Sequence, residues 1–343
     1  MLIVHSLLQL KSRSRHLSES LNSLIKKKTV IFSLLIIILI SGCKTSTNQQ
    51  EEPLSVATLR GPSAISMINM IESLENIKNQ HVKFEIKNEP VQVRPLLFRE
   101  KADFAVVPTN MASILYNKGV NYKVAAIPVW GTLYLFGEEK VNDWQALKGK
   151  TIHLMAKGMT PDIMFRYLLD QHGIDPIKDV NLDYSYPTHI ELANAVASGK
   201  AKMGVISEPL VSMVMNKNKK VNPIFSLNEE WKQKTNKEIP QTALLVNKEL
   251  ASENPALVNS FLSEYNKSVQ WVNANPESAA KLIVKHKILN NEEVAVESIP
   301  RCNMYFKYVS ETKSQVHEYL NIFYNMNPQT VGGKLPDEDF YYK

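Results

Sequence analysis

Two stretches of this chain repeat each other in order, and that repeat constrains the fold more than any other feature. Residues Ser55 to Ser63 (SVATLRGPS) align with Ile152 to Thr160 (IHLMAKGMT). Each is a strand-like run, a basic residue, Gly, one spacer and a hydroxyl where a helix begins. Downstream, Ala102 to Asn110 (ADFAVVPTN) align with Ala201 to Pro209 (AKMGVISEP), and Ser113 then falls on Ser212. The offset of 97 to 99 residues is far too long for a solenoid unit. It fits two similar lobes, each an α/β unit.

The rest of the chain keeps that pattern. Short β-type runs alternate with helical stretches from Leu54 onward, as in α/β proteins. Ser55–Leu59, Phe104–Val107, Thr151–Met155 and Thr242–Asn247 read as strands. A helix is expected from Ser63 to about Asn79, with Ile68, Ile71 and Leu74 on one side. Another is expected from Asn110, and Thr160-Pro161-Asp162 reads as an N-cap followed by Pro. Thr188 and Glu191 form a capping box, with Gly199 closing that helix. Asn254-Pro255 and Asn275-Pro276 open two late helices.

Ligands of open α/β sheets bind outside the carboxyl ends of the strands, where helices start. Helix starts offer unpaired N–H groups and a positive dipole end. Two such lobes facing each other make a clamp, and closure is a hinge motion.

The N-terminus reads as an export signal. Lys26-Lys27-Lys28 precede an apolar run of eleven residues, Val30 to Ile40, and then Ser41-Gly42-Cys43. A membrane-spanning helix needs about twenty residues, so a secretory signal fits better. Cys43 sits where a bacterial lipobox places its acylated cysteine. Residues 44–53 (KTSTNQQEEP) are polar and read as a flexible tether. Residues 1–43 hold six of the 40 Lys and Arg and one of the 34 Asp and Glu, which leaves 34 against 33. That balance gives no electrostatic case for nucleic acid. Cys302 is the only other thiol, so an internal disulfide is excluded, and the eight His are scattered without metal-site spacing. No metal or cofactor is expected.

At its turns the sequence resembles the nitrate/sulfonate/taurine class of ABC-transporter substrate-binding lipoproteins, which includes relatives that bind thiamine precursors. The stretches that carry the resemblance are Leu59 to Ser63, Val107 to Asn110, Gly149 to Ile152 with Gly158, Thr160 and Pro161, and Ser207-Glu208-Pro209. Gly332 to Asp337 and Phe340-Tyr341-Tyr342 match the tail of such lipoproteins. The resemblance implies a two-lobed type II periplasmic-binding-protein fold with a central cleft. Lobe one would be residues 54–137 and 241–343, lobe two residues 138–240, with the hinge near Gly137–Trp144 and Thr242–Asn247. It also implies an ABC permease and ATPase as partners and a lipid-anchored place outside the cytoplasm.

The candidate ligand contacts follow from the four turns. They are Gly61, Pro62 and Ser63; Thr109 and Asn110; Gly158, Met159 and Thr160; and Glu208. Trp130, Gly131 and Thr132 are candidates for a wall. Ser63 and Thr160 can also be plain N-caps, and Trp130 can be core. Arg60 and Lys157 either neutralise an anion or solvate the rim. Glu208 is discordant in an anion site. It bonds the hinge or a nearby loop, or it receives an amine, so the solute is an organic anion or an amino-bearing heterocycle. Transport binding without catalysis is the reading taken. The alternatives are an enzyme on the same fold, of thiamine-pyrimidine or menaquinone-pathway type, and a sensory lipoprotein presenting its solute. No Ser-His-Asp order or paired carboxylates support the enzyme.

Overall fold

A computed structural model describes residues 52–343. The signal, Cys43 and most of the tether lie outside the described residues. Twelve strands appear in chain order: β1 (Leu54–Leu59), β2 (Asn76–Ile77), β3 (Gln80–Lys87), β4 (Phe104–Pro108), β5 (Tyr122–Trp130), β6 (Leu133–Gly137), β7 (Thr151–His153), β8 (Asn181–Asp183), β9 (Met203–Ser207), β10 (Asn222–Ser226), β11 (Pro240–Asn247) and β12 (Met304–Tyr308).

They form two sheets, ordered β12-β5-β11-β4-β1-β3-β2 and β10-β6-β9-β7-β8. The internal repeat is visible in that order. β1 runs parallel to β3 and β4, while β7 runs parallel to β8 and β9. An antiparallel strand then flanks the second repeat strand in each sheet: β11 beside β4, β6 beside β9. The repeated sequence encodes the same four-strand arrangement twice.

β6 corrects the expected boundary. Leu133–Gly137 belongs to the second sheet, paired with β9 and β10, because its apolar residues are needed there on both faces. The chain therefore crosses between sheets at Gly131–Thr132, not near Gly137–Trp144, and returns into β11 at Pro240.

Two local expectations also shift. The helix after β1 is two short pieces, Pro62–Ser66 and Ile68–Ser73, and residues 76–77 pair with β3. β7 ends at His153, and Leu154 bonds to Asp183 instead. The capping box at Thr188 and Glu191 is present, and Pro255 and Pro276 sit in the first turns of their helices.

Apolar burial explains why the lobes stay together. One core fills the outer face of the first sheet, including Val56, Phe104, Phe261 and Val269. A second lies within the other lobe, around Phe136, Leu192 and Val211. A third runs through both, from Ala57 and Val107 to Ile152 and Phe165. Trp231 of the second lobe meets Tyr319 of the long helix Val309–Met326, ring centroids 6.0 Å apart.

The C-terminal tail is strapped across the first lobe. Ser113 and Asn117 donate to the Val331 carbonyl, and Tyr342 N–H bonds Val124. Asp339 lies 2.6 Å from both Lys123 and Lys248.

Candidate functional site

A cleft of about 960 Å³ opens between the lobes, and all four repeat turns border it. Gly61, Pro62 and Ser63 follow β1, and Pro108 ends β4. Met159, Thr160 and Pro161 lie after β7, and Ser207, Glu208 and Pro209 after β9. Strand ends facing helix starts are the arrangement in which open α/β sheets bind ligands.

Neither hydroxyl caps a helix. The N-cap positions are Gly61 and Met159, so Ser63 and Thr160 fall inside the first turns. Gly61 and Gly158 have φ of +102° and +77°, conformations that glycine alone adopts cheaply. At the second turn Asp162, in the first turn of the helix, reaches back to accept the Gly158 N–H at 2.8 Å. Asp162 is buried and also bonds Arg166 and Tyr184.

Some candidates hold the frame and do not border the cleft. Thr109 Oγ1 donates to the Pro240 carbonyl at 2.6 Å, tying β4 to the returning strand. Asn110 donates to Thr330 of the tail at 3.2 Å and accepts from Thr160 Oγ1 at 3.0 Å. That second bond crosses between lobes. Gly131 lies against Asn228, where a Cβ would come within 2.4 Å of the amide oxygen. Trp130 is core: fully buried, stacked on Tyr305 at 5.0 Å, with Nε1 bonded to the Tyr305 carbonyl. It ends β5, next to the edge strand β12 that carries Tyr305, and does not border the cleft. Thr132 does border the cleft, and its carbonyl accepts from Glu208 N–H at 3.0 Å.

Glu208 resolves as a bonded group. It is fully buried; Oε1 takes Arg301 Nε at 2.5 Å and Oε2 takes Ser212 Oγ at 2.7 Å. Burial works against the Arg301 charge, but the Glu208 hydrogen bond and charge outweigh it, and the guanidinium is held protonated. Burial, reinforced by Glu208, pushes the Tyr134 hydroxyl up to about 12. Burial likewise pushes the Cys302 thiol well up, which leaves it unreactive.

The basic candidates are also committed. Arg60 Nε bonds Asn88 at 2.6 Å, and its Nη1 bonds the Lys287 carbonyl. Lys157 sits 5.2 Å from the Tyr184 ring centre. Sequence reasoning missed Arg94, half-buried on the helix Pro90–Phe98, which borders the cleft without an ion-pair partner among the described residues. It missed Arg301 too, and the flanking Pro300 and Cys302 carry no signal for an interlobe ion pair. Opposite each other at one mouth lie Glu89 and His189, 3.5 Å apart. The walls are thioether-rich, with Met111, Met155, Met159 and Met213, side chains that adapt to irregular apolar shapes. Among the described residues no His, Cys, Asp and Glu gather as a metal site, and no helix is long and apolar enough to cross a membrane.

Residues 78–279 match the NMT1/THI5-like family. The chain belongs to that family. The crystal structure of an ABC transporter from Parabacteroides distasonis is 28% identical, with a TM-score of 0.76, over 85% of this chain and 99% of that one. The periplasmic aliphatic sulphonate binding protein SsuA from Escherichia coli shares the fold at 15% identity, with a TM-score of 0.67 over 83% and 92% of the two chains. YtlA of Bacillus subtilis (strain 168) is 31% identical over 145 residues, a match that spans 40% of this chain and 40% of that protein. The two-sheet α/β architecture of this family member is thus the fold of periplasmic binding proteins.

Proposed function

We propose that this family member is the extracytoplasmic solute-binding component of an ABC importer, clamping one small organic solute between its lobes for delivery to a permease and ATPase. The observation that carries the reading is the convergence of four strand-to-helix turns on one cleft of about 960 Å³. Ligand sites of this kind run to about 1,000 Å³ and are mostly apolar with a few polar groups. The similar proteins include a Parabacteroides distasonis ABC transporter and a sulphonate-binding protein. Acylation at Cys43 would hold the protein at the membrane.

The solute fits the chemistry of the walls. Four methionines favour an apolar body. Both Glu208 oxygens are occupied, so an amine finds no free carboxylate there. Arg94, Lys217 and Lys287 border the cleft without ion-pair partners among the described residues, and Arg94 is the half-buried one, which favours an organic anion over an amino-bearing heterocycle. Gly61, Pro62, Ser63, Thr132, Met159 and Thr160 would touch the solute. Thr109, Asn110, Trp130, Gly131 and Gly158 would support them.

Binding is proposed to occur without turnover. Native mass spectrometry of the purified protein should reveal one bound small molecule, released unchanged on denaturation. Its conversion into another species during incubation would favour an enzyme. Absence of any cleft ligand, across a broad thermal-shift panel, would sink the binding reading itself.

A further inference from the structure

The far pole of the second lobe carries a dense basic surface. Three segments meet there: the end of β6, the turn before β9 and the turn before β10. Gly137 pairs with both Met203 and Asn222, and Glu138 N–H bonds the Lys202 carbonyl at 3.1 Å. Lys140, Lys200, Lys202, Lys219 and Lys220 are all exposed on these segments. The carboxylates present are spent. Glu138 lies 3.2 Å from Lys202 and accepts from Asn218 at 2.9 Å, and Glu139 is 2.6 Å from Lys150. The Asn218 hydrogen bond, followed by Lys202, holds the Glu138 carboxyl below its ordinary value. β9 separates this pole from the cleft, since Met203 begins the strand and Ser207 ends it at the cleft.

The composition of the patch says what it fits. Outside residues 1–43 the chain is nearly balanced, 34 bases against 33 acids, so five exposed lysines in one place, with only Lys202 ion-paired among the described residues, are a local concentration. No arginine stands among these three segments. Among the described residues the exposed large apolar side chains are Val91, Phe98, Ile177, Ile190 and Met326, none of them here. Specific protein interfaces are enriched in aromatic residues and Arg and depleted in Lys. A lysine-only surface without an apolar anchor suits a diffuse sheet of negative charge.

We propose that this pole docks on anionic phospholipid headgroups, so that the second lobe rests on the membrane between deliveries to the permease. The contact would be electrostatic and reversible. Each lysine near such a surface contributes about fivefold in affinity.

The described body carries its own three apolar cores, so residues 52–343 fold independently and can be tested without an anchor. Co-sedimentation with vesicles of phosphatidylglycerol and phosphatidylcholine should rise with the anionic fraction and vanish with phosphatidylcholine alone. Raising salt well above the regime where the screening length is about 10 Å should release the protein. Changing Lys200, Lys202, Lys219 and Lys220 to Glu should weaken vesicle binding by about a hundredfold or more. A charge-matched control, with Lys78, Lys101, Lys118 and Lys281 changed to Glu, should keep most of it. Thermal melting checks that both variants fold. Equal loss in the two variants would mean that net charge alone is felt, and would overturn the site. Failure of the wild-type body to bind anionic vesicles would overturn it too, including the case where an acidic protein is bound instead.

Discussion

Arg301 of the first lobe and Glu208 of the second form an ion pair at the hinge, Nε to Oε1 at 2.5 Å, with Ser212 bonded to both side chains. The carboxylate is fully buried, while the guanidinium is one-third exposed. A carboxylate placed beside a solute cleft is thereby turned into a structural link between lobes.

Breaking that link should cost stability. Arg301→Ala leaves a buried carboxylate without its counter-charge, and such losses run to about 3 kcal/mol or more. Glu208→Gln keeps a hydrogen-bonding amide and leaves a partly solvated cation, so its cost should be smaller, about 1–2 kcal/mol. Urea denaturation of the single and double variants should show a double-variant loss well below the sum. Additive losses would mean that the pair is not coupled.

Gly131 tests the crossover between sheets. A Cβ there would meet Asn228 Oδ1 at 2.4 Å, and that oxygen accepts the Ile239 N–H at 3.0 Å. Gly131→Ala must displace the buried amide, at a cost of about 1–3 kcal/mol. Adding Asn228→Ala removes the clash, so the pair should be less damaging than the sum of the two. Denaturant midpoints read this directly; a harmless Gly131→Ala would show that the crossing strands are loosely packed.

How much of this was readable beforehand depends on distance along the chain. The repeat, the turns and most helix starts are local patterns, and Gly61, Met159, Thr160 and Ser207 do border one cleft. The side chain of Trp130 was not readable. Its partner Tyr305 lies far along the chain, and the same short motif serves a core or a wall. Arg301 and Glu208 were equally hidden, because an ion pair between lobes leaves no spacing in sequence. β6 was misassigned for a related reason: an apolar run states that it is buried, not in which sheet.

The tail strap should loosen in acid. Hydrogen bonds from Lys123, then Lys248, lower the Asp339 carboxyl from an ordinary 3.8 to about 2. A depressed carboxyl pKa stabilises the fold above its unfolded value, and that contribution is lost as pH falls through the folded value. The window therefore lies between about pH 4 and pH 2. Asp339 is largely exposed, so the effect should be small and screened by salt. Limited proteolysis of the C-terminus should be faster for Asp339→Asn than for wild type at neutral pH, and the two should converge at about pH 2. Equal rates at neutral pH would show that the strap does not depend on this carboxylate.

The charge of the solute can be decided with two neutral variants. Arg94 borders the cleft without a partner among the described residues. If it meets an anionic end, Arg94→Gln removes a charge-assisted hydrogen bond worth about 1.5–3 kcal/mol, a loss of roughly ten- to hundredfold in affinity. Because Arg94 has no partner among the described residues, the melting temperature of the empty protein should hardly move. Glu208→Gln should do the reverse, lowering the melting temperature while leaving affinity within a few-fold, since its oxygens serve Arg301 and Ser212. An amine-bearing solute would invert the pattern, with affinity falling in Glu208→Gln and unchanged in Arg94→Gln. Calorimetry of the recovered solute against wild type and both variants, with melting curves of the empty proteins alongside, separates binding from folding in each. Unchanged affinity in both variants would leave neither charge in contact with the solute, and the assignment of an anionic end at the Arg94 mouth would be withdrawn.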